Sequence, residues 1–430
     1  MYDLCTTHAD GSMILSMNCS RKFQAVLAVF AVLLVMPAFG SRPAHAMSLD
    51  DLQNHRLTIR QRYSEQLTDP QKKSRKSLAQ FGYNLSYLKV NFYPITEFIN
   101  PMDYGTQSYG KPGKHENNGS VYSCNGGFLD FSHMRAAVDW SVFMTFTLLS
   151  GDGNITLPPS SAELQIRAHD YQSLSIEEIA DLGEKIAFER LVWHEIASWH
   201  YHAPNHIDEQ QSTFSIEDSY SNFLGATIGK RVALRLLDPS EVRPYAEVAT
   251  EEILKTVQAL HPMTDVKKSK MAYDLVDRFR QSRRPSHERN RDIWWDSKII
   301  FRDQRYLFKR VLPLSYEITP WLVPQADKLG CVGSEPQILQ VPQRTLSGKS
   351  FYDFYSFKIT PEKDLFYANR SGKQLHAPIA PFTSDQMFSV INHLKKQMEA
   401  IFGPGFDARG GDPVPTYKHV KWRMFYNLKD

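Results

Sequence analysis

What this 430-residue chain lacks narrows its class before any motif is read. It has no low-complexity tract and no internal repeat, which excludes solenoids and disordered scaffolds. After Met36, no stretch is apolar for the roughly 20 residues that a membrane-spanning helix needs. Charge of one sign is not in excess. The 50 Lys and Arg stand against 47 Asp and Glu, too small a surplus to imply nucleic acid as a partner. Cysteine is scarce, four in all, so a disulfide-dense scaffold is excluded as well. With 42% hydrophobic and 23% charged residues, what remains is a globular protein with ample core.

The longest apolar run lies early. Arg21 and Lys22 precede "FQAVLAVFAVLLVM" (Phe23 to Met36), and Ala44-His45-Ala46 follows as a small-x-small cleavage site. Together these read as a secretory signal over residues 1–46, with an uncleaved anchor as the alternative. The expectation is an exported protein, periplasmic or secreted, that begins at Met47 and has no transmembrane helix after processing. Arg21, Lys22 and Arg42 leave with Asp3 and Asp10, so the charge falls from +3 to +2. Cys5 and Cys19 leave too. Cys124 and Cys331 remain, either paired in an oxidising compartment or free.

Helix signals dominate the next two-thirds. "LDDLQNHRLTIRQRYSEQL" reads as a first helix, and a Gly-, Asn- and Tyr-rich loop spans Pro101 to Asn125. Asp130 or Ser132 caps a helix that runs to Leu149. The box Ser175-x-x-Glu178 opens another that runs to about His200, and Ser215-x-x-Asp218 opens a third that ends before Asp238-Pro239. Further helices are expected at Ala246–Leu260, Asp265–Phe279 and Ser384–Phe402. From Pro313 the segments turn short, aromatic or β-branched and proline-punctuated, which is strand texture, and "YKHVKWRMFY" alternates in the same way. The class is α+β, predominantly α-helical, with buried helices in the N-terminal two-thirds and a strand-containing C-terminal third. Residues 47–310 form the helical, catalytic-like part. Residues 311–430 form a mixed α/β region that no linker divides from it.

Chemistry concentrates in "ERLVWHEIASWHYH", Glu189 to His202. It approaches the zinc-protease helix, yet the position four after His194 is Ser198. From Ala187 on, this helix is apolar nearly all round, the mark of a buried helix. A buried histidine and glutamate must be paired, neutralised or metal-bound, because an isolated buried charge is very costly. His194 and Glu195 therefore need partners. The helix starting at Asp130 poses the same demand through Asp130 and His133, which share a face at i and i+3. Helical bundles build metal sites from acid and histidine pairs projected inward from facing helices. Capping accounts for Asp130 equally well, and a salt bridge accounts for Arg135 and Asp139. Glu217 and Asp218 open the third helix, where capping and the helix dipole explain them, with metal ligation by either as the alternative. The three helices are expected to bring Glu217 or Asp218 to the same point as His133 and His194. "WHYHAPNH" adds His200, His202 and His206.

The blocks "CNGGFLDFSHMRAAVDW", "WHEIASW" and "FSIEDSYSNFLG" resemble the signature of a family of exported bacterial proteins classed as a domain of unknown function. The resemblance is good over Phe92 to Leu237 and looser beyond. It implies an envelope location and one domain type, with no established activity. It points to Gly126, Gly127, Asp130, His133, Arg135, Asp139, His194, Glu195, Trp199, Glu217, Asp218 and Asn222.

Three functional expectations follow. The first is a metal-dependent hydrolase with His133 and His194 as ligands and Asp130 or Glu217 completing the set. Glu195 serves it as general base, and zinc is the leading metal. The second uses Cys124 as a nucleophile at a helix N-terminus, for acyl transfer or amide hydrolysis with His133 or His194 as base. The third is a non-enzymatic envelope protein whose polar core fixes helix packing. Its binding surface, open to the other two as well, is "RFRQSRRPSHERNR". There Arg278, Arg280, Arg283 and Arg284 suit cell-wall or lipid anionic groups.

Overall fold

A computed structural model describes residues 98–109, 116–151, 153–157, 162–200, 214–281, 311–323, 325–361 and 381–402. The signal segment, the first expected helix, His202, His206 and the C-terminal alternating segment lie outside these residues. So do Arg283, Arg284 and the side chains of Arg278 and Arg280.

The chain enters the core through an antiparallel hairpin, β1 (Ser120–Ser123) and β2 (Gly127–Asp130), in the register Ser120↔Asp130 and Ser123↔Gly127. Gly127 turns it with φ +64°, and a Cβ there would lie 2.1 Å from the Trp321 carbonyl oxygen. Only glycine suits that position. Strand β2 feeds directly into helix α1 (Phe131–Leu149). Asp130 caps α1, its Oδ1 accepting from the backbone N–H of Ser132 (2.6 Å) and His133 (3.3 Å).

Helix α1 is buried on almost every side, including Phe131, Met134, Val138, Trp140, Val142, Met144 and Leu148. It is the central element, and α2 (Ile176–His200) and α3 (Asp218–Leu237) both pack on it. Each approaches at glycines. A Cβ on Gly225 would fall 2.4 Å from the Met134 carbonyl oxygen, and one on Gly229 would fall 2.6 Å from that of Val138. On α2, a Cβ on Gly183 would sit 2.9 Å from the Thr145 nitrogen. Backbones therefore meet where side chains would otherwise hold them apart. Helix α2 opens with the expected reciprocal box: Ser175 N–H donates to Glu178 Oε2 (2.9 Å) and Glu178 N–H to Ser175 Oγ (3.2 Å). Helices α4 (Tyr245–Ala259), α5 (Val266–Gln281) and α6 (Met387–Phe402) complete the described helices. None of them is long and apolar enough to cross a membrane.

Strands also occur before residue 311. Strands β3 (Asn154–Leu157) and β4 (Ala162–Ala168) share one antiparallel sheet with β7 (Tyr355–Pro361) and β8 (Phe382–Thr383), in the order β3-β4-β7-β8. A small pair, β5 (Glu317–Ile318) and β6 (Leu339–Gln340), lies between them in sequence. The C-terminal third thus builds onto strands that come before α2. It also covers the hairpin: Phe128 stacks on Trp321 at 6.2 Å, and Val323 N–H donates to Tyr122 Oη at 3.2 Å. A disulfide between Cys124 and Cys331, Cα atoms 5.2 Å apart, closes this contact covalently across 207 residues of sequence. Cys124 therefore carries no thiol, and the expectation of a Cys124 nucleophile is corrected: a sulfur engaged in a disulfide offers no thiolate.

Candidate metal centre

Three helices bring one side chain each to a single point. His133 comes from the first turn of α1, Glu195 from the later turns of α2, and Asp218 from the first residue of α3. One ligand atom from each lies within 4.8 Å of the others, and all three residues are buried, at 8%, 3% and 3% exposure. This group could hold a metal ion. His133 Nε2 is 3.6 Å from Asp218 Oδ1, and His133 Nδ1 is 3.9 Å from Glu195 Oε1. Ligand atoms at about 2.0–2.2 Å from one tetrahedral ion are separated by about 3.4 Å, so the first spacing matches a shared ion.

Each carboxylate is held by one oxygen and leaves the other to the centre. Asp218 Oδ2 accepts from Ser215 N–H at 2.7 Å, one half of the expected capping box, while Oδ1 faces His133. The Ser215 hydroxyl donates to Glu217 instead, and the helix opens at Asp218. Glu195 Oε2 accepts from Phe214 N–H at 2.9 Å, and its Oε1 has no hydrogen-bond partner among the described residues. The Phe214 contact depends on an unusual backbone. Phe214 sits at φ +51°, a region that bulky residues avoid. Its carbonyl is held in turn by Val311 N–H at 2.9 Å, so the surrounding chain imposes the strain that aims this N–H at Glu195.

The remaining sequence candidates border the group. Asp130 is partly buried, and its backbone N–H donates to Ser221 Oγ on α3 at 2.9 Å. Glu217 is buried. Its Oε1 accepts from Ser215 Oγ at 2.7 Å, and its Oε2 has no hydrogen-bond partner among the described residues. The His194 ring lies 6.2 Å from that of His133, centre to centre. Asn222 Oδ1 is 3.0 Å from His133 Nδ1. Arg135 and Asp139 point elsewhere, joined through Gln107, which accepts from Arg135 at 3.0 Å and donates to Asp139 at 2.9 Å.

The electrostatics are those of crowded acid. Burial holds the carboxyls of Glu195 and Glu217 well above the usual carboxylate range, and the Asp218 charge pushes both further. Burial also raises Asp130, against the pull of His133. At His133, burial works against protonation, but the Asp218 and Asp130 carboxylates and the Asn222 contact prevail, and its pKa is raised. His194 is pushed well below the ordinary imidazole value by burial, then by His133 and Arg190. A divalent cation would relieve this crowding, because it favours the charged form of every carboxylate around it.

Of the two acids that the third helix offers, Asp218 is the one in the group, and capping does not exclude it from that role: a carboxylate has two oxygens and here each has its own task. Phe214 carried no signal at all, because a positive φ on an aromatic residue comes from tertiary constraint. Residues 98–324 match a family model described as a protein of unknown function, DUF4056. No curated protein and no solved structure matches the chain.

Proposed function

The chain belongs to the DUF4056 family of proteins of unknown function, and we propose that it is an exported, metal-dependent hydrolase of the bacterial envelope. The observation that carries this reading is the meeting of His133, Glu195 and Asp218 from three helices, buried, with the Glu195 Oε1 unclaimed by any hydrogen bond among the described residues. Three protein ligands leave coordination positions open, which is the pattern of catalytic rather than structural metal sites. A bound divalent cation there supplies Lewis acidity and makes water a nucleophile near neutral pH.

In this reading Glu195 is a ligand, not the base that its place beside His194 suggests in sequence. The base is Glu217, whose Oε2 is unclaimed among the described residues and whose carboxyl is held well above the usual carboxylate range by burial and the Asp218 charge. One nitrogen and two carboxylate oxygens accept zinc, manganese or iron, and zinc is the first to test. The disulfide supports export, because such bonds persist in oxidising compartments. The arginines at 278, 280, 283 and 284 would hold anionic envelope polymers as substrate or anchor.

Elemental analysis of chain purified without chelators tests the centre. One divalent ion per chain is expected, lost in His133→Ala and Asp218→Asn variants whose circular dichroism is unchanged. Wild-type chain that takes up no zinc, manganese or iron on titration overturns the metal reading. The loaded chain should also hydrolyse ester, phosphodiester or peptide model substrates, and Glu217→Gln should abolish this with the metal retained. A loaded chain inert to all three removes the hydrolase and leaves a metal-binding protein.

A further inference from the structure

Both nitrogens of His133 face acceptor groups. Nδ1 is 3.0 Å from Asn222 Oδ1, and Nε2 is 3.6 Å from Asp218 Oδ1. A neutral imidazole has one N–H and one lone pair, so the tautomer decides which nitrogen can bind an ion. An amide oxygen can only accept, and 3.0 Å is a formed hydrogen bond, whereas 3.6 Å is not. The proton of the neutral ring therefore belongs on Nδ1. Nε2 then directs its lone pair at a carboxylate oxygen, an arrangement that a shared cation resolves.

Asn222 reaches His133 because of where it stands on α3. Asp218, Asn222, Gly225 and Gly229 recur at intervals of four, three and four residues, one stripe of the helix facing α1. Gly225 lies against Met134, the residue after His133, with no room for a Cβ. Beside Asn222, Ser221 Oγ accepts the Asp130 N–H and pins the start of α1. The close crossing at Gly225 thus brings the Asn222 side chain within hydrogen-bond range of His133.

We propose that Asn222 is a positioning residue that fixes His133 as the Nδ1–H tautomer, so that Nε2 is the nitrogen offered to the metal. This rests on the metal reading for its purpose, though not for its test. Outer partners of this kind typically change metal affinity by about 10–100-fold when removed.

Nitrogen-15 NMR of the metal-free chain, histidine-labelled and at alkaline pH where the ring is neutral, reads the tautomer directly. The His133 resonances are identified by their absence in His133→Gln. The expected result is Nδ1–H in the wild type, and a mixture or the Nε2–H form in Asn222→Ala. Zinc affinity should fall about 10–100-fold in Asn222→Ala. Asn222→Asp retains an acceptor and no donor, so it should restore both the Nδ1–H form and affinity to within a few-fold of wild type. An Nε2–H ring in the wild type overturns the proposal, as does an Asn222→Ala chain with unchanged tautomer. A wild-type Nδ1–H ring that Asn222→Ala redistributes, in a chain that takes up no metal, supports Asn222 as the positioning residue and overturns the metal reading instead.

Discussion

Helix α2 carries two buried polar clusters about two turns apart, and they are built on opposite principles. At Lys185 and Glu189 the charges cancel. Lys185 Nζ lies 3.0 Å from Glu189 Oε1, and Tyr352 Oη donates to that same oxygen at 2.9 Å. Tyr355 Oη donates to Oε2 at 2.6 Å. The ammonium also sits 4.4 Å from the centre of the Tyr352 ring and 4.8 Å from that of Tyr316. Burial and then the Glu189 charge hold the Tyr352 and Tyr355 hydroxyls above their ordinary pKa, so both remain donors. This cluster is complete and ties α2 to the C-terminal region. At Glu195 the count is different: acids outnumber cations, and oxygens of Glu195 and Glu217 go without a hydrogen bond among the described residues. A buried polar group that is satisfied serves packing, and one left open in crowded acid is a candidate to hold a ligand.

The same substitution at the two places separates these roles. Glu189→Gln should be the larger blow. It leaves the fully buried Lys185 without its counter-charge, at about 3–5 kcal/mol in urea unfolding, with metal uptake unchanged. A loss below about 1 kcal/mol, the range of an exposed pair, would mean that the first cluster is not the closed unit described.

The pH response of metal-free chain comes next in size. Asp130, Glu195 and Glu217 have folded pKa values raised by burial, so each binds its proton more tightly folded than unfolded. Their contribution is full below the ordinary carboxylate pKa and is lost as pH rises through the folded values. His133 acts in the same sense above about pH 6.5, the ordinary imidazole value. His194, with its lowered pKa, acts in the opposite sense, but only below about pH 6.5, where the unfolded ring takes up a proton. Stability should therefore fall from about pH 6.5 upward, by up to about 1.4 kcal/mol per pH unit for each extra proton the folded state holds. Saturating zinc should invert the slope, since protons then compete with the ion for its ligands. Thermal scans of metal-free chain that rise with pH across this window would count against crowded acid at the centre.

The smallest effect expected is Glu195→Gln, and its sign is the point. At a pH above its raised folded pKa, where Glu195 is ionised, removing that crowded charge while keeping an acceptor for Phe214 N–H should stabilise metal-free chain by on the order of 1 kcal/mol. The same variant should lose its metal. Destabilisation like that of Glu189→Gln would erase the distinction between the two clusters.

Much of this was legible without a structure, because it is local. The caps at Asp130 and Ser175, the all-apolar faces of α1 and α2, and the conflict between those faces and His133, His194 and Glu195 follow from helical geometry and the cost of burying charge. That conflict requires the acids and histidines to gather. Which atoms meet is another matter. Glycines at 183, 225 and 229 set how closely α2 and α3 approach α1, and that spacing leaves His133, Glu195 and Asp218 sharing one point with His194 beside it. The Phe214 backbone that holds Glu195, the pairing of Cys124 with Cys331 and the sheet joining β4 to β7 likewise join residues far apart in sequence. Periodicity and capping act over a few residues and so appear in the chain itself; side-chain convergence depends on helix crossings and strand pairing, and those exist only once the chain has packed.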